Sequence, residues 1–155
     1  MDFGPAHPAS YYAASAAAQP ARPTLRGSQN ADICVVGGGY TGLNAALRAR
    51  ALGYSVVVLE AKRVGWGASG RNGGQVIWGQ RQDQTMLETF AGHETAKALW
   101  DLSREALAHV RGLIETHGID AELRQGHLSA AWKPAHADEL KAYGDHMARI
   151  YGYEA

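Results

Sequence analysis

The 155-residue chain has a single cysteine, Cys34, and so no internal disulfide. Small secreted folds commonly rest on paired cysteines, whereas a lone thiol suits a reducing compartment, so a cytoplasmic setting is expected. Lying in an apolar run, Cys34 is expected to act as a small buried hydrophobe and not as a nucleophile. An excess of charge is missing too: 15 Lys and Arg balance 15 Asp and Glu. With no basic footprint, nucleic acid is not an expected partner. No apolar run approaches the roughly 18 residues that a membrane span requires. The opening Met1-Asp2-Phe3 has no basic region, and Ala13 to Ala18 is interrupted by Ser15, so neither a signal peptide nor a membrane partner is expected. The seven histidines are dispersed, with no H-x-x-x-H pair and no cysteine partners, which argues against a metal centre. A G-x-S-x-G nucleophile elbow is also lacking.

Glycine, by contrast, is abundant, with 19 residues. The run Asp32-Ile33-Cys34-Val35-Val36 reads as a strand that breaks into Gly37-Gly38-Gly39-Tyr40-Thr41-Gly42 and opens a helix. Glycines at 37, 39 and 42 have the G-x-G-x-x-G spacing. Gly37 permits a tight turn, Gly39 lets backbone approach a pyrophosphate, and Gly42 lets the helix pack on the strand. The helix start presents unpaired N–H groups to the phosphates. From Leu43 to Leu52 the residues are helix formers, with Leu43, Ala46, Leu47 and Ala51 expected on one face, and Gly53 stands where a helix ends. Ser55 to Leu59 reads as a second, parallel strand. It runs into Glu60, eighteen positions after Gly42, where a carboxylate binds a ribose hydroxyl and disfavours a 2′-phosphate.

A second glycine-rich segment follows, with glycines at 65, 67, 70, 73 and 74. Small residues there allow backbone to approach something large, with Ser69 and Asn72 as donors and Arg71 as a phosphate partner. A single βαβ unit for NAD does not need this second cradle, whereas FAD, extended across its domain, does. A surface loop is the bland alternative.

The glycine turn, Glu60 and the segment Gly65-Trp66-Gly67-Ala68-Ser69-Gly70-Arg71-Asn72-Gly73-Gly74-Gln75 together resemble the N-terminal part of the D-amino-acid-oxidase-like FAD oxidoreductases, and within them the gamma-glutamylputrescine oxidoreductase group. Ser10-Tyr11-Tyr12-Ala13-Ala14-Ser15 is similar to that group's N-terminal segment. The resemblance implies an α/β fold with a Rossmann-like FAD-binding βαβ core and the start of a second, substrate domain. It implies FAD as cofactor, a small-molecule amine as substrate, and oxygen or another electron acceptor as the second partner. For the complete enzyme the resemblance further implies hydride transfer from the carbon bearing the amine to flavin N5, with the resulting imine hydrolysing to an aldehyde and ammonia. By position, Gly37, Gly39 and Gly42, with Tyr40 and Thr41 between them, hold the pyrophosphate. Glu60, followed by Ala61, takes the adenosine ribose. Gly67, Ala68, Ser69, Arg71, Asn72, Gly73 and Gly74 line the path to the ribityl and flavin end. No catalytic side chain is nominated. Family members are far longer, so the chain is read as an N-terminal portion whose substrate cavity would be completed by further sequence.

Outside this core, residues 1–30 form an Ala/Pro-rich arm with Pro5, Pro8, Pro20 and Pro23. It is expected to be flexible, with Tyr11 and Tyr12 either anchoring it or simply exposed. Residues 31–80 make up the FAD-binding βαβ and glycine-rich loop, with a short strand expected at Gln75 to Trp78. Residues 81–118 read as helical: a brief helix from Gln84 to Phe90 ended by Gly92, then a long one from Glu94 to His117 stopped by Gly118. Its apolar stripe comprises Ala96, Leu99, Leu102 or Ser103, Ala106, Leu107, Val110, Leu113 and Ile114, with Leu99 and Trp100 in core packing. Residues 119–155 start the substrate domain, with a hairpin (Ala121 to Arg124 and His127 to Trp132) and a helix from Ala137 to about Tyr151. Two other readings remain at this level: a non-catalytic nucleotide- or FAD-binding fragment, and an NAD-dependent dehydrogenase domain.

Overall fold

A computed structural model describes residues 10–16, 20 and 22–154. They fall into two compact units, divided between Gln75 and Val76. In the first unit, a single helical turn and a half, α1 (Tyr11–Ser15), is capped by the Ser10 hydroxyl, which accepts from Ala13 N–H. Tyr11 and Tyr12 stack edge to face on each other and are exposed. Pro5 and Pro8 lie outside the described residues.

The centre of this unit is a parallel β-α-β arrangement: β1 (Ile33–Val36), α2 (Tyr40–Ala51) and β2 (Val56–Leu59). The strands pair in register from Ile33 opposite Val56 to Val36 opposite Leu59. A side-chain clamp sets that register at its open end. Asp32 Oδ2 accepts from both Ser55 N–H (2.8 Å) and Ser55 Oγ–H (2.6 Å), while Ser55 Oγ accepts from Asp32 N–H. These bonds hold the Asp32 carboxyl below its ordinary titration range.

Helix α2 lies on both strands through small side chains, with Ala46 and Ala49 buried, and Gly53 at φ +93° ends it. Leu47 and Ala51 face solvent, not the core as expected, because close packing of α2 on the strands follows the line Gly42–Ala46–Ala49. Cys34 is likewise exposed and not buried. Side chains of β1 alternate, and Cys34 and Val36 share the face that stays open while Ile33 and Val35 are half-buried.

The second unit is built on α3 (Gln84–Thr116) and α4 (Pro134–Tyr151). Asp83 caps α3 by accepting from Met86 N–H at 2.8 Å. The helix is broken at Gly92 (φ 79°, ψ 159°), so the two expected helices abut there with no intervening loop. Its buried line is Ala96, Trp100 and Ser103, and Leu99 is half-buried. Leu102 is 57% exposed, since it falls one position, about 100°, away from that line. Ala106 and Val110 also lie on the exposed side.

Trp100 packs edge to face on Trp78, Tyr151 and Tyr153, and Trp78 Nε1–H donates to Tyr153 Oη at 3.1 Å. Helix α4 begins at Pro134, ahead of the expected Ala137, because the fixed φ of proline suits the first helical position. Gly152, at φ 60°, terminates it; Tyr153 N–H donates back to Met147 C=O.

Two expected strand regions are not strands. Gln75 to Trp78 is irregular, and so is the whole stretch 119–132, where the hairpin was anticipated. In that stretch Glu122 takes φ +47° and Gly126 φ +105°, and Leu128 and Trp132 are 88% and 89% exposed. A two-stranded ribbon by itself is marginal in water, and no strand pairing forms in this stretch. No helix among the described residues is long and apolar enough to cross a membrane.

Candidate functional site

The turn between β1 and α2 is built around glycine. Gly37, at φ +104°, donates its N–H to Leu59 C=O at 2.7 Å and swings the chain off the sheet. A Cβ on Gly42 would lie 2.0 Å from the Gly37 carbonyl oxygen, so only glycine allows helix and turn to close to this distance. Gly39 caps α2 with no side-chain hydrogen bond. The helix start carries the positive dipole end; its first N–H, that of Tyr40, is taken by the Ser69 hydroxyl, and Thr41 is exposed in that turn.

Glu60 emerges from the end of β2 next to this turn. Its Oε2 accepts from Gly38 N–H at 2.7 Å and its Oε1 from Lys62 N–H at 3.0 Å. The carboxylate thus sits beside the glycine turn, with Ala61 exposed directly after it. Sequence spacing located Glu60, but not its bond to Gly38.

The second glycine segment folds against the first. Gly65 N–H donates to Gly38 C=O at 3.0 Å, and Tyr40 N–H donates to Ser69 Oγ at 3.0 Å. Ser69 belongs to a 3₁₀ turn (Ala68–Gly70) that repeats the logic of the first: a Cβ on Gly70 would lie 2.1 Å from Gly65 C=O. Asn72 ties the rest together. Its Nδ2 donates to Ser69 C=O (2.9 Å), Ala68 C=O (3.2 Å) and Tyr40 Oη (3.1 Å), and its Oδ1 accepts from Gly74 N–H (2.9 Å). Arg71 turns back on its own loop: Nε donates to Gly67 C=O at 3.2 Å and the guanidinium lies 5.0 Å from the Trp66 ring centre, with Lys62 Nζ at 3.5 Å from that centre.

Gly67 and Gly73 differ from the packed glycines. Neither has positive φ, and a Cβ on either would meet nothing within 4 Å. The fold itself makes no use of glycine there. Bare backbone facing open space suits a ligand that approaches closely, and with the start of α2 and the acceptor Glu60 beside it the arrangement fits a dinucleotide.

A polar cluster in the second unit escaped sequence reasoning. Glu88 Oε1 accepts from Tyr151 Oη–H at 2.6 Å and lies 3.0 Å from His146 Nε2 and 3.6 Å from His93 Nδ1. The Tyr151 bond, then His146, hold the carboxyl below its ordinary value. Burial, then Glu88, raises the Tyr151 phenol. No sequence motif announces this cluster, since its members stand up to 63 positions apart.

Residues 32–155 match the model of a protein family described as FAD dependent oxidoreductase. The chain belongs to that family. Among curated relatives of these FAD-dependent oxidoreductases, gamma-glutamylputrescine oxidoreductase of Escherichia coli (strain K12) is 42% identical over 146 residues, 94% of this chain and 34% of that protein. Probable oxidoreductase OrdL of Rhizobium meliloti (strain 1021) is 40% identical over 144 residues, 93% of this chain and 34% of the relative. The OrdL protein of Haemophilus influenzae is 34% identical over 148 residues, again 34% of its length. The chain therefore spans about a third of the curated relatives it matches. No solved structure matches it. The matched residues include both glycine segments and Glu60.

Proposed function

We propose that the first unit is a Rossmann-like FAD-binding core, and that the protein to which it belongs oxidises an amine at its C–N bond. One observation carries the reading: two glycine segments, each closed by a glycine-to-carbonyl approach, are bonded to one another at the start of α2, with Glu60 beside them. Membership of the FAD-dependent family supports FAD as the ligand. Gly37, Gly39, Tyr40, Thr41 and Gly42 would hold the pyrophosphate, Glu60 the adenosine ribose, and residues 67–74 the ribityl end. When bound, FAD supplies an acceptor for a hydride from the carbon bearing the amine. The chain's own part is to hold the cofactor by backbone N–H groups. The relative's name suggests gamma-glutamylputrescine or a related amine as substrate, with oxygen or another acceptor taking the electrons.

The test is direct. The purified chain, incubated with FAD and freed of excess, is expected to keep the visible absorbance of oxidised flavin. Exclusive binding of NAD would sink the proposal. Gamma-glutamylputrescine added without oxygen should bleach the flavin if the chain is catalytic. Retained flavin without bleaching would support the reading as a non-catalytic FAD-binding portion, which the one-third coverage of the relatives favours for the 155 residues by themselves.

A further inference from the structure

The second glycine segment is tied to the α2 turn at two early points, Gly65 N–H to Gly38 C=O and Ser69 Oγ to Tyr40 N–H. Beyond residue 69 its shape depends on Asn72, whose amide bonds Ala68, Ser69, Gly74 and Tyr40. Three of those four partners belong to the segment itself. Tyr40 alone lies outside it, 32 positions away, in the first turn of α2.

Packing does not dictate the position of the Tyr40 ring, which is 61% exposed. Its hydroxyl accepts at 3.1 Å from the Asn72 amide, whose two hydrogens serve three acceptors, Tyr40 Oη and the Ala68 and Ser69 carbonyls, so that one N–H is shared between two of them. The residue contributes twice to one junction, its N–H to Ser69 and its Oη to Asn72.

We propose that Tyr40 is a positioning residue of the cofactor site: its hydroxyl, through Asn72, fixes segment 68–74 against the start of α2 and thereby slows release of a bound dinucleotide. The retention clause rests on the FAD reading above; the bracing clause rests on geometry alone. Phenylalanine at this position keeps the ring and the backbone bond to Ser69 and removes only the acceptor. Loss of one neutral hydrogen bond corresponds to about a fivefold change in an opening equilibrium or a release rate.

Gly74 N–H, held by Asn72 Oδ1, reports directly on how firmly Asn72 is placed. In the full chain without ligand, Tyr40→Phe is expected to speed hydrogen exchange at Gly74 about fivefold, with Asn72→Ala, which removes the Gly74 acceptor, setting the upper limit. FAD release, followed by recovery of flavin fluorescence after dilution, is expected to quicken by the same factor. Tyr54→Phe, which deletes a tyrosine hydroxyl outside the cradle, should change neither. Unchanged Gly74 exchange in Tyr40→Phe overturns the brace whatever FAD does. Faster exchange with unchanged FAD release overturns the retention role. Failure of the unmutated chain to bind FAD overturns the FAD reading and the retention clause together, while Gly74 exchange still decides the brace.

Discussion

Single glycines in this chain do two different jobs, and substitution separates them. Gly42 is required by the fold, since a methyl there would overlap the Gly37 carbonyl at 2.0 Å. Gly42→Ala is expected to destabilise the protein by about 1–3 kcal/mol or more, the usual range for overpacking, read as a lowered denaturant midpoint. Gly73 has ordinary φ and open space around it. Gly73→Ala should leave the midpoint unchanged or slightly raised, because it only restricts the unfolded chain, yet weaken FAD binding. Equal destabilisation by both variants would refute the division. Gly42 was legible from spacing because its constraint is local, five residues from the carbonyl it touches. Glu60 was legible for the same reason at one remove: strand and helix lengths in a βαβ unit bring the end of β2 beside the turn. The bonds from Gly38 to Glu60 and from Tyr40 to Ser69 were not legible, since nothing in either local sequence names the other.

Among the elements, α3 and α4 are joined by polar contacts to one carboxylate, Glu88, which receives the Tyr151 hydroxyl and adjoins His146. Its folded-state pKa is depressed from the ordinary 4.5, chiefly by the Tyr151 bond. A depressed carboxyl stabilises the fold fully above its unfolded pKa, and the stabilisation disappears as pH falls below about 4.5 through the folded value. Acidification from neutral pH is therefore expected to lower the thermal midpoint more steeply in the unmodified chain below pH 4.5 than in Glu88→Gln. Superimposable acid limbs would rule out this contribution. Helix boundaries were readable in advance at Gly53, Gly92 and Gly118, where glycine marks a break or stop. Which face of α3 would be buried was not. The stripe accommodates either Leu102 or Ser103, and only the position of Trp100 against Trp78 and Tyr153 selects Ser103.

For the whole molecule, the decisive quantity is apolar surface left uncovered. Buried apolar residues among those described are few: Ala46, Ala49, Ala96, Trp100 and Met147. In contrast, Leu128 and Trp132 are 88% and 89% exposed in a stretch without regular structure. Such side chains add nothing to stability and promote self-association. Replacing both with serine is expected to shift stability by no more than about 0.5 kcal/mol while reducing light scattering at high concentration. A large loss of stability would show that they are packed in solution. The hairpin expected there has the right alternation of residues, but a strand is realised only where a neighbouring strand or packed face receives it. Sequence alone determined the features set by adjacent residues: the glycine turn, the acid after the second strand, the second glycine segment and most helix ends. Backbone sterics operate over a few positions, so the residue types there suffice. Tertiary structure alone decided the exposure of Cys34, the choice of Ser103, the Glu88 cluster and the Tyr40–Asn72 bond. Those depend on which distant surfaces meet, and the energy of each contact exists only once they do.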